Sequence, residues 1–121
     1  MITVAYCDFG VNFSRKGYTN TIAHPVSPII TGVPTISGTV AIVETLTATA
    51  AGKYGIPIPN TTWQWQSSTN GTTGWVNISS ATNATYTIDS GYAGSYLRVI
   101  QTETNTEGTD TATSPSTIQV P

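Results

Sequence analysis

The chain has 121 residues, enough for one compact domain and too few for two of ordinary size. Only 8% of the residues are charged and 38% are hydrophobic, with a net charge of −2 and a pI near 5.0; this excludes the clustered Lys and Arg of a nucleic-acid footprint. No apolar run is long enough to cross a bilayer, and a single cysteine, Cys7, excludes an intrachain disulfide.

Residues 1–32 differ from the rest. Met1 opens neither a basic n-region nor a long apolar h-region, so no secretory signal is expected, and the chain is expected to fold in a cytoplasm. Ile2 to Tyr6 and the alternating Phe9, Val11 and Phe13 suit extended chain, and Arg15-Lys16-Gly17 suits a turn. His24-Pro25 and Ser27-Pro28 are expected to break any regular element, because proline biases its predecessor toward extended geometry. The segment is therefore expected to be an arm, too short to build its own core. Its charge is +1 (Arg15 and Lys16 against Asp8), whereas the body from Val33 to Pro121 carries −3.

The body reads as one short strand after another. Pro34 to Ser37 predicts an edge segment that stops at Gly38. Thr45 to Ala50 alternates strictly, which predicts Leu46, Ala48 and Ala50 on the inward face. In Thr62 to Gln66, Trp63 and Trp65 share one parity. Burying one Trp removes on the order of 150–250 Å² from water, so Trp65 is expected to centre the core with Trp63 nearer its edge. Asn70-Gly71 suits a turn. Trp75 to Ile78 predicts a brief strand, and Thr85 to Ile88 a strand with Tyr86 and Ile88 inward. Ser95 to Thr104 is apolar at Tyr96, Leu97, Val99 and Ile100, so its parity is ambiguous. Thr111 to Val120 predicts the last strand, with Ile118 and Val120 as its clearest apolar pair. About seven strands in under 90 residues, with no helical period, point to an all-β two-sheet sandwich. The structural core residues expected are Leu46, Trp65, Tyr86, Leu97 and Val99.

No catalytic, cofactor-binding or metal-ligating set emerges. His24 is the lone histidine and sits before a proline, which suits a solvated loop rather than a relay. Cys7 suits an apolar interface residue better than a nucleophile. Glu103, Glu107 and Asp110 fall close together, and a solvated loop is favoured there over a weak calcium site.

Pro34-x-Ile36-x-Gly38, Thr45-Leu46-Thr47-Ala48, Trp63-Gln64-Trp65-Gln66, Trp75-x-x-Ile78-x-x-Ala81-Thr82, Tyr86-Thr87, Gly94-x-x-Leu97-Arg98-Val99, Thr104-Asn105-x-x-Gly108 and Ser114 occur in this order. Together they resemble the immunoglobulin-like domains of bacterial and phage proteins, over residues 33–121. That resemblance implies an immunoglobulin-like β-sandwich behind an extended N-terminal arm. It also implies a non-enzymatic role, and a single domain behind an arm fits a small phage virion protein that decorates the capsid or tail. The expected site of action is then the virion surface, after synthesis in the bacterial host cytoplasm. The major capsid or tail protein and neighbouring copies are the expected partners, with weak glycan binding as an addition and with neither nucleic acid nor membrane. Tyr6, Phe9, Phe13, Arg15, Lys16 and Tyr18 are the expected anchors, since an extended segment can add a strand to a sheet edge and seat aromatic side chains in pockets. The alternative is a carbohydrate- or receptor-binding module of a larger adhesin or secreted enzyme, in which Tyr54, Trp75 and Tyr92 would form a stacking platform.

Overall fold

A computed structural model describes residues 24–121. The described residues form an all-β sandwich with nine strands rather than about seven: β1 (Val26–Thr31), β2 (Thr35–Ser37), β3 (Thr45–Thr49), β4 (Gly52–Ile56), β5 (Asn60–Ser68), β6 (Val76–Asn77), β7 (Thr85–Thr87), β8 (Tyr96–Asn105) and β9 (Gly108–Thr113). One sheet has the order β2-β3-β7, a second β6-β5-β8-β9, and β1 pairs with β4 apart from both.

The first four strands are one long antiparallel ribbon. Ile36 pairs with Ala48 in its lower half and Ile30 with Lys53 in its upper half. The register slips by one where the chain passes through Gly32–Pro34 and Ala50–Ala51, so the ribbon bends there. Its lower half pairs onward with β7, whereas its upper half lies against β8 and β9. The ribbon turns at residues 38–44. A side chain on Gly38 would put its Cβ 2.7 Å from the Thr45 carbonyl, and the residue sits at φ +116°, a conformation open to glycine.

Residues 26–31, expected in the arm, therefore belong to the body as β1. Ser27-Pro28 does not break the strand, because the register shifts between Val26 and Ile29 and a bulge is where a strand tolerates a residue without an N–H. β4 has no sequence signature, since two of its five residues are glycine. Long-range pairing creates it. Gly55 is buried against Pro59 and Asn105, and a Cβ there would lie 2.7 Å from the Pro59 ring.

The core fills the space between the two larger sheets. Leu46, Ala48 and Ile88 come from one side and Trp65, Leu97 and Val99 from the other, joined by Ile78, Ala81 and Val120. Trp65 is fully buried and its indole N–H donates to the Asn83 carbonyl at 2.8 Å. Trp63 packs at the edge of the cluster. Tyr86 is half-buried rather than central, tilted against the Trp65 ring at 5.7 Å. Ala50 is exposed, because β3 ends at Thr49 where the ribbon bends.

The last strand also ends early. β9 stops at Thr113, before Pro115, and the following segment runs beside the first half of β8 with every third residue engaged. Ser114, Thr117 and Val120 donate backbone N–H groups to Val99, Leu97 and Ser95. Ser114 Oγ and Thr117 Oγ1 accept from Val99 N and Leu97 N in return. A spacing of three cannot turn both Ile118 and Val120 inward: Val120 is buried, and Ile118 is 73% exposed.

Candidate attachment face and the polar cluster beneath it

The upper half of the ribbon has two chemically distinct faces. Ile29 and Tyr54 are direct cross-strand partners on the outward face, 50% and 53% exposed. Val26 and Ile56 pair further along the same strands and are half-buried, and Ile58 beyond Pro57 is 84% exposed. An exposed apolar group of this kind marks a contact surface when it is contiguous. The ribbon is fastened to the sandwich by polar contacts at its rim. Asp110 Oδ2 accepts from Ile30 N at 2.8 Å, and Asn105 Nδ2 donates to the carbonyls of Val26 and Pro57.

The inward face covers a buried polar cluster. Along β8 the parity that buries Leu97 and Val99 continues to Gln101 and Glu103, both fully buried. Gln101 serves the ribbon bend: its Oε1 accepts from Ala51 N at 2.8 Å and its Nε2 donates to Ala51 O at 3.3 Å. The amide thus completes the ladder where the register slips. Glu103 Oε2 accepts from Gln101 Nε2 at 2.8 Å and from Thr61 Oγ1 at 2.7 Å. Lys53, reaching in from β4, donates to Thr61 Oγ1 at 2.7 Å and to the Pro59 carbonyl at 2.8 Å. Its Nζ also lies 3.0 Å from Glu103 Oε1, at an angle outside hydrogen-bond geometry, so that oxygen has a cation beside it and no aligned donor. Burial alone would raise the Glu103 pKa; the hydrogen bonds from Gln101 and Thr61 and the nearby Lys53 outweigh it, and the carboxyl is held below its usual range.

The three surface aromatics do not form one platform. Tyr54 stands on the ribbon. Trp75, just before β6, is half-buried beneath the Arg98 guanidinium, 4.3 Å from its ring centre. Tyr92 is half-buried and packs edge-on against Tyr86 at 6.4 Å. Leu46, Trp65, Leu97 and Val99 occupy the core as expected. Tyr6, Cys7, Phe9, Phe13, Arg15, Lys16 and Tyr18 lie outside the described residues, and His24 is exposed.

The acidic trio is not a loop cluster. Glu103 is inside a strand, Asp110 holds the ribbon and Glu107 is exposed in the β8–β9 turn. Among the described residues no group of three or more His, Cys, Asp or Glu could hold a metal ion. Lys53, Thr61 and Gln101 were not legible as a site. The available signal was the parity of β8, which carries two polar residues in phase with Leu97 and Val99.

A shallow groove of about 450 Å³ lies at the other end, between β2 and the C-terminal segment, lined by Ile36, Val40, Pro115 and Ile118 among others. No helix among the described residues is long and apolar enough to cross a membrane.

No curated protein and no solved structure matches the chain. A family model described as a domain of unknown function, DUF8696, matches residues 30–121, from within β1 to the C-terminus. The chain belongs to the DUF8696 family.

Proposed function

We propose that the chain is a non-enzymatic structural protein of a phage particle. In this reading an immunoglobulin-like domain is displayed on the capsid or tail surface and held there through its N-terminal segment. The observation that carries the reading is where that segment joins the body. In the sequence, residues 1–23 precede His24-Pro25 and then β1, whose Ile29 stands beside Tyr54 on the exposed apolar face of the ribbon. The aromatic segment and the apolar face are thus continuous in the chain and together give one attachment end. The partner is then the major capsid or tail protein, with neighbouring copies alongside.

The test mixes particles lacking this protein with the full chain or with residues 24–121, pellets them, and measures bound copies. The full chain should load and the truncated chain should not, and Tyr54→Ala in the full chain should reduce loading. Equal loading by all three would overturn the reading. The carbohydrate-binding alternative has Tyr54 as its one half-exposed ring among the three aromatics, and a single ring gives weaker stacking than a platform.

A further inference from the structure

We propose that the groove between β2 and the C-terminal segment is a slot for an added β-strand, and that it receives residues 9–13 of a neighbouring copy. The inference goes beyond the attachment reading and does not depend on it, since it needs two copies of this chain and no particle.

Both walls of the groove present unpaired backbone. On β3, Glu44 O accepts from Ile88 N and Ala48 N donates to Ala84 O, so alternate residues there are turned toward β7. Thr47 and Thr49 are turned the other way, toward β2, where they face Ser37 and Thr35. Bonded and non-bonded pairs alternate in an antiparallel ladder, so the N–H and carbonyl of Ile36 point away from β3, on the groove side. Neither has a hydrogen-bond partner among the described residues. The facing wall is the segment in which Ser114, Thr117 and Val120 donate their N–H groups to β8. Between those positions the N–H groups of Ser116 and Ile118 also have no partner among the described residues. An edge with free backbone groups pairs with an extended segment laid along it.

The side chains set what can enter. Ile36, Val40, Pro115 and Ile118 line the groove, and no charged residue does. A strand places alternate side chains on one face. Residues 9–13 read Phe9-Gly10-Val11-Asn12-Phe13, with three apolar side chains in one parity and a glycine and an asparagine in the other. Gly10 has no side chain to hold the backbone away from the slot. Insertion covers Ile118, which is otherwise 73% exposed.

Reach selects the copy. The arm enters at the upper end of the ribbon and the slot lies at the lower end, about 33 Å away along β1 and β2 at about 3.3 Å per residue. The twelve residues between Phe13 and Val26 span about 40 Å when fully extended. Return within one chain therefore needs that stretch almost straight. Its direct path is also taken, because β9 lies against β1 and Asp110 holds the Ile30 N–H. A second copy meets neither constraint. Segment and slot are different parts of the surface, so the contact is heterologous and can continue from copy to copy as a ring or a row.

Sedimentation and hydrogen exchange of the purified full chain test this. Its mass should rise with concentration, and the amides of Ile36, Ser116 and Ile118 should gain protection over the same range. A benzophenone carried on the single thiol, Cys7, two residues before Phe9, should give a covalent dimer linked at residues 35–38 or 115–118. Phe9→Ser combined with Phe13→Ser should abolish association and protection together, with the circular dichroism unchanged. Ile118→Asp, on an exposed side chain, should do the same from the groove side. A chain that stays monomeric at every concentration overturns the proposal. So does protection of Ile36 in the monomer, or a cross-link confined to one chain, either of which puts the arm in its own slot. Association that survives both variants, as contact through the Ile29–Tyr54 face would give, overturns it too.

Discussion

Removing the indole of Trp65 should be among the most damaging single changes in the chain, and the structure says by how much. The side chain is fully buried, so roughly 200 Å² of surface leaves water on folding. At about 25 cal/mol per Å² that is about 5 kcal/mol as an upper figure, in line with the about 3–5 kcal/mol observed when large core aromatics become alanine. Trp65→Ala also leaves the Asn83 carbonyl without its donor, a further cost of about 1 kcal/mol if no water reaches it. Trp65→Phe separates the two effects. It keeps most of the apolar volume beside Tyr86 and loses the N–H bond, so it should cost about 1–3 kcal/mol. Urea unfolding followed by far-ultraviolet circular dichroism gives both values without depending on the remaining tryptophans, Trp63 and Trp75. A domain of this size has about 5–15 kcal/mol in total, so Trp65→Ala should have a much lower midpoint or be unfolded in buffer. A midpoint equal to wild type for Trp65→Ala, or a larger loss for Trp65→Phe than for Trp65→Ala, would refute the reasoning.

Three further outcomes are expected. The folded pKa of Glu103 lies below its unfolded value of about 4.3. Its contribution to stability is therefore full above that value and is lost as pH falls through the folded pKa; Glu103→Gln should flatten this part of the pH–stability curve, and an unchanged slope would contradict the ionised assignment. Asp110→Ala removes the acceptor of the Ile30 N–H and should cost about 1–3 kcal/mol, read as faster hydrogen exchange in β1 than in β5; uniform exchange in both would show that Asp110 does not hold the ribbon. Residues 24–121 should fold cooperatively, whereas residues 33–121 should be clearly less stable, because the cut removes β1, leaves β4 unpaired and uncovers the Lys53–Glu103 cluster. Equal unfolding midpoints for the two would put the domain boundary back at residue 32.

The strands that local chemistry specifies were legible in the sequence. Thr45 to Thr49 and the Trp63-Gln64-Trp65 run alternate with a period of two, and a half-buried strand must place alternate residues on its apolar face. That is why Leu46 and Trp65 could be assigned to the core from sequence alone. Tertiary structure decided the rest. β1 holds a proline and β4 two glycines, which disfavour a strand, and each exists because the other supplies its hydrogen bonds; the ribbon thereby overrides the local signal at Ser27-Pro28. Tyr86 and Ile118 are apolar by type, yet one lies at the rim of the core and the other is exposed, because burial depends on which residues the opposing sheet leaves room for. Glu103 shows the limit most directly. A glutamate in a polar stretch of a polar chain reads as a solvated side chain. It becomes a buried carboxylate because Lys53, Thr61 and Gln101, separated from one another by up to 48 positions in the sequence, converge on it beneath the ribbon.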